Sequence, residues 1–134
     1  METIKKIEEY STKEGFYNKS GYKVTTDKQE IVLLIDDESQ CCEEWGYFWT
    51  NDDVEEFVGA TLLDIKVVDE DLNHVVLERE GIDTKAFEYD GSTMFVNLET
   101  SKGTLQFVAY SIHNGYYGHN AVVRSNQLDY EDYL

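Results

Sequence analysis

The chain has 134 residues, of which 28 are acidic and 11 basic, for a formal net charge of −17, with no proline and two cysteines. That length fits one domain, 1–134, with enough core to fold without metal or disulfides. Direct nucleic-acid binding is disfavoured, because phosphate affinity comes from Lys and Arg, and no apolar run approaches the ~20 residues of a membrane helix.

The charge is unevenly spread. Residues 1–30 hold six lysines and six acids, whereas residues 31–134 hold five basic residues and 22 acids. Between Asp36 and Glu56 there are nine acids and no base. Such a balance favours a basic partner or simple solubility. The N-terminus METIKKIEEY has no apolar signal core, and adjacent Cys41 and Cys42 make no disulfide framework, so a cytoplasmic setting with reduced thiols is expected.

Residues 1–20 form a poorly defined segment. Ile4, Ile7 and Tyr10 are spaced as on a short helix, while Thr3–Ile7 equally fits an edge strand. Gly15, Asn18, Ser20 and Gly21 read as loop. Tyr22–Thr26 alternates as a strand, Asp27-Lys28 as a turn, and Ile31–Ile35 is an unbroken apolar run. Such a run predicts a central strand covered on both faces, paired with Tyr22–Thr26 in a hairpin. Glu44–Trp49 is the next strand. Thr50 then reads as a helix N-cap with Asp53 three residues on, Val54, Phe57 and Val58 at helical spacing, and Gly59 as the left-handed cap.

Leu63, Ile65 and Val67 alternate with Asp64 and Lys66 as a half-buried strand. After an acidic turn at Asp69–Asn73, His74–Glu80 reads as its partner and Lys85–Tyr89 as a short further strand. Met94–Thr100 and Thr104–Ile112 flank Ser101-Lys102-Gly103 as a hairpin. Ala121–Arg124 is the expected last strand, and Asn126–Leu134 an acidic tail that frays. The expected fold class is therefore α+β: a mostly antiparallel sheet of six to eight strands with one or two short helices on a face or end. The exposed edges of such a sheet are compatible with a homodimer.

Candidate chemistry is sparse. A reactive cysteine wants a cation nearby to lower its pKa, but Cys41 and Cys42 are followed by Glu43 and Glu44. Neighbouring cysteines on a strand point in opposite directions and rarely share one metal. His113 and His119 with either cysteine could complete a zinc site, yet their spacing is loose and no C-x-x-C accompanies them, so both read as loop histidines. No catalytic residue, metal or cofactor is predicted. Asn114-Gly115-Tyr116-Tyr117-Gly118 is a tight turn that presents two tyrosines, side chains suited to a ring or a peptide. The candidate binding residues are Cys41, Cys42, Glu43, Trp45, Asn114, Gly115, Tyr116 and Tyr117. The candidate docking surface is Asp36, Asp37, Glu38, Glu43, Glu44, Asp52, Asp53, Glu55 and Glu56.

The Cys41-Cys42-Glu43 corner, the short acidic segment ending at Val58-Gly59, and the later Asn114–Tyr117 motif occur together in a characteristic order. In this the chain resembles, over roughly residues 22–124, a family of small uncharacterised proteins of bacteriophages, prophages and mobile elements. That family has no agreed activity, so the resemblance implies a setting more than a reaction. Members often place a serine after the Tyr-Tyr pair; here Gly118-His119 stand there, which weakens a metal site built on His119. The leading expectation is a non-catalytic acidic protein that docks on a basic surface of a host or defence protein, such as one that itself binds nucleic acid. The alternative is a small-molecule or nucleotide site, binding or enzymatic, at the Cys-Cys-Glu corner and the Asn-Gly-Tyr-Tyr loop.

Overall fold

The computed structural model describes residues 1–14, 17–37, 44–51, 53–68, 91–112 and 119–134. They form β1 (Glu2–Glu14), β2 (Tyr17–Thr26), β3 (Glu30–Asp36), β4 (Glu44–Trp49), β5 (Thr61–Val68), β6 (Gly91–Thr100), β7 (Gly103–Ile112), β8 (Asn120–Arg124) and β9 (Asp129–Tyr133). Every pairing is antiparallel. The strands make one sheet in the order β4-β7-β6-β5-β1-β2-β3-β8-β9. The fold is all-β, which corrects the α+β expectation.

The expected helix fails for a local reason. Only Val54–Phe57 turns, as a four-residue 3-10 segment. Asp53, not Thr50, caps it by accepting from the Glu55 N–H at 3.2 Å. Thr50, just past the end of β4, is held against β7 instead, its N–H donating to the Gln106 carbonyl. After one turn the chain is captured by β1: Gly59 N–H donates to the Ile4 carbonyl, and the Ile4 N–H donates to the Ala60 carbonyl. Gly59 does adopt the expected left-handed conformation, at φ +93°.

The N-terminal segment is a 13-residue strand, neither helix nor loop. Its three-residue spacing has a β explanation. In a regular strand Ile4 and Ile7 would face opposite ways, yet both are buried. The register against β2 shifts between Ile4 and Lys6, and a bulge there turns both inward. The same device occurs in β5, whose register against β6 shifts between Leu62 and Asp64. Leu62 and Ile65 therefore point in, and Leu63, expected inside, is 66% exposed.

β1 also joins two halves of the sheet. Glu2 and Thr3 pair with β5, whereas Ile4 to Glu14 pair with β2. The sheet folds over at this point, so that β2, β3 and β8 face β4, β7 and β6. Tyr22 of β2 lies 5.0 Å from Trp49 and 5.7 Å from Tyr47 between ring centroids. Ile31, Leu33 and Ile35 share one core with Val96, Leu98, Leu105 and Phe107. Leu34 of β3 is buried too, so the apolar run is covered on both faces as expected. Each such side chain removed from water contributes roughly 1.5–3 kcal/mol.

The two ends of the sheet differ. At one end three hairpins close on a hydroxyl at the first turn position. Thr26 Oγ1 accepts from the Lys28 and Gln29 N–H groups, Thr100 Oγ1 accepts from Lys102 N–H, and Ser125 Oγ accepts from Leu128 N–H. These side-chain bonds stand in for backbone turn bonds. The third hairpin makes β9 a paired strand where a frayed tail was expected. The strand termini that flank residues 15–16, 38–43, 69–90 and 113–118 all lie at the opposite end. The expected strands at His74–Glu80 and Lys85–Tyr89 fall outside the described residues.

Gly21 shows how closely β2 and β3 approach. A Cβ built there would lie 1.8 Å from the Leu33 carbonyl oxygen and 2.8 Å from its carbon. Backbone cannot yield as a side-chain end can, so Gly21→Ala is expected to cost about 3 kcal/mol or more. Urea unfolding checks this; stability equal to the parent would show that the strands separate freely at that point.

Candidate functional site

Asp36, the last residue of β3, is the hub of a buried polar cluster. Its Oδ1 accepts from Lys19 Nζ at 2.5 Å, with the two side chains only 8% and 12% exposed. Its Oδ2 accepts from the Asn120 N–H at 3.0 Å. Its backbone carbonyl lies 2.6 Å from His119 Nδ1. A carbonyl oxygen only accepts, so Nδ1 carries the proton. His119 is 2% exposed, and its ring stacks on Trp45 at 5.3 Å and 26°. The expectation of a loop histidine is thus replaced by a core histidine. Lys19 stands in a stretch that reads as loop, and nothing local marks it as the partner of an acid 17 residues away.

This cluster lies where the two sequence motifs leave the sheet. Asp36-Asp37 precede residues 38–43, and His119-Asn120 follow residues 113–118. On the facing half, Glu44 is opposite Ile112. The described residues that flank the two segments are therefore neighbours on both halves. Cys41, Cys42, Glu43, Asn114, Gly115, Tyr116 and Tyr117 themselves lie outside the described residues, as do His113 and Glu38. Among the described residues no group of three or more His, Cys, Asp and Glu is arranged to hold a metal ion.

Beside the cluster the inner face opens. Trp45, Tyr47 and Trp49 project inward from β4, two residues apart. Glu9 and Ser11 of β1 stand opposite Tyr22 and Ser20 of β2. Together Glu9, Tyr10, Ser11, Ser20 and Tyr47 line an open groove of about 150 Å³. Asp37 reaches its rim, where its Oδ2 accepts from Ser20 Oγ at 2.5 Å. Burial pushes the Tyr22 hydroxyl above the ordinary tyrosine range, helped by the charge of Glu9 and by Tyr47. Tyr47 is raised in the same way, by burial first and then by Glu9 and Asp37.

The acids of the expected docking surface are divided. Asp36 is buried in its ion pair, and Asp37 is half-buried. Asp53, Glu55 and Glu56 are exposed, but at the far end of β4, six residues or about 20 Å away. Glu44 begins β4, and Asp52 lies outside the described residues. Among the described residues, the acids of this run are therefore spread between a buried pair, the groove rim and the far end of β4. Sequence reading also missed Glu9, Ser11, Ser20, Tyr22 and Tyr47, because the strands that bring them together were partly read as loop.

The chain is thus a folded-over antiparallel sheet with a polar groove and a buried lysine–aspartate–histidine cluster at one end. Residues 2–123 match the family described as a domain of unknown function, DUF7448, and the chain belongs to that family. No curated protein and no solved structure is a match for it.

Two outcomes follow from the geometry. Asp36→Ala leaves the Lys19 ammonium buried without its counter-charge and is expected to cost roughly 3–5 kcal/mol, whereas Lys19→Met combined with Asp36→Leu recovers most of that loss. Chemical denaturation of the single and double variants checks this. A tyrosine whose folded pKa is raised binds its proton more tightly when folded, so its contribution is complete below the ordinary value of 10.0 and falls as pH rises beyond it. Stability should therefore decline above about pH 10. Tyr22→Phe and Tyr47→Phe should each flatten that decline in unfolding curves recorded across the alkaline range.

Proposed function

We propose that this chain is a non-catalytic acidic binding protein that docks on a basic surface of another protein. The observation that carries this reading is how its charges are used. Lys6 and Lys23 are engaged by Glu8, Lys66 by Glu99, and Lys19 by Asp36. Lys102 Nζ donates to the Glu56 carbonyl. Glu9, Asp53, Glu55, Glu56 and Asp64 are exposed and enter no ion pair among the described residues, and they outnumber the exposed lysines in the same condition, Lys5, Lys13 and Lys28. The surplus charge is therefore turned to solvent, where it steers a cationic partner over distances of about a Debye length. Proteins that bind nucleic acid present such basic surfaces. The resemblance to small phage and prophage proteins favours a host or defence protein as the partner, met in the cytoplasm. Direct binding to nucleic acid or membrane is no part of this reading.

A second reading is a small-molecule or nucleotide site at the Cys-Cys-Glu corner and the Asn-Gly-Tyr-Tyr loop. What favours it is the adjacency of the strand ends that flank both segments, at Asp36–His119 and Glu44–Ile112.

Capture from host lysate separates the two. Docking through carboxylates predicts a partner whose retention falls by about tenfold or more between low and moderate salt. Its binding should weaken with Glu55→Lys and Glu56→Lys and persist with Cys42→Ala and Tyr117→Ala. Retention that ignores salt and is lost with Cys42→Ala or Tyr117→Ala would replace docking by the second reading.

A further inference from the structure

We infer that the groove between β1, β2 and β4 receives the guanidinium of a single arginine side chain presented by the partner protein. This inference rests on the docking reading above and names the group recognised.

Glu9 is the anchor. It is exposed on the inner face of β1, and its carboxylate makes no ion pair or hydrogen bond among the described residues. Asp37 adds a second carboxylate on the rim, fixed through Ser20 Oγ. The lysines nearest in sequence do not neutralise them. Lys19 and Lys23 alternate with Ser20 and Tyr22 and so point to the other face of β2, where they are held by Asp36 and Glu8. Lys13 shares the face of Ser11 but is exposed and forms no ion pair among the described residues. Burial first, and then the nearby charges of Glu9 and Asp37, hold the Tyr47 hydroxyl in its protonated form.

The remaining lining suits a planar cation. Ser11 and Ser20 hydroxyls and the Tyr47 phenol accept N–H groups, while the tyrosine ring offers a π surface. A volume of about 150 Å³ is of the order that holds a six-atom ring within a protein, and a guanidinium is smaller. Arginine fits better than lysine, because its planar fork bonds a carboxylate with two parallel N–H groups and stacks on aromatic rings. An anion is repelled by Glu9 and Asp37, and an apolar group finds a lining dominated by polar surface.

The test is an amide NMR titration with N-acetyl-arginine amide, with N-acetyl-citrulline amide as its uncharged counterpart. Support is a saturable set of shifts at Glu9, Ser11, Ser20 and Tyr47, with affinity on the order of millimolar for so small a ligand. The shifts should be absent with citrulline, and the dissociation constant should rise about fivefold or more in Glu9→Gln. Glu9 is exposed, so this variant folds as the parent does. Shifts of equal size with citrulline, or shifts spread over Asp53, Glu55, Glu56 and Asp64 without preference for the groove, overturn the inference. A nona-arginine peptide tells its failure from that of the docking reading. Peptide binding that is salt-sensitive but unchanged in Glu9→Gln sinks the groove and leaves docking standing. Groove shifts with the arginine amide alone, and no salt-sensitive capture of any basic protein, support the groove and remove docking.

Discussion

The fold depends on β1 being shared. Its first two paired residues belong with β5, and the rest belong with β2. A single flat sheet of nine strands would leave one apolar face in water. By changing partners at a bulge, β1 folds the sheet so that its halves bury that face against each other. The core that results is continuous from Ile4 through Phe107 to Val123. The position of the groove follows as well, because the turn brings Glu9 and Tyr22 opposite the aromatic side chains of β4.

The sequence was legible wherever period and turn chemistry agreed. The β2–β3 and β6–β7 hairpins, the buried run of β3, and the left-handed Gly59 could all be read directly. It misled where a bulge intervened. Ile4 and Ile7 imitate helical spacing because an extra residue sits between them. Leu63 breaks the alternation of β5 for the same reason. The acidic run after Thr50 looked like a helix because caps and charges suit one, but pairing of Gly59 and Ala60 with Ile4 ended it after a turn. Asp129–Tyr133 looked like a tail because it is short and charged; only its pairing with β8 makes it a strand.

The site was less legible than the fold, because its members are far apart in the chain. Asp36 was noticed as a charge and proves to be a structural hub. Lys19 and His119 are recognisable as its partners only once β2, β3 and β8 lie side by side. The groove draws on β1, β2 and β4, and no local pattern ties Glu9 to Tyr47. Trp45 alone of the candidate binding residues lies among those described, and its role there is to carry the ring of His119.

Among the described strands the two outermost are unlike. β9, with Asp129, Glu131 and Asp132 along five residues, repels a second copy of itself. β4 is aromatic and hydrogen-bonds only β7 among the described strands. Growth by strand addition needs two receptive borders, one to accept and one to offer. With the β9 border closed by charge, growth by successive joining of β9 to β4 is disfavoured, which guards the sheet against extension into a fibre.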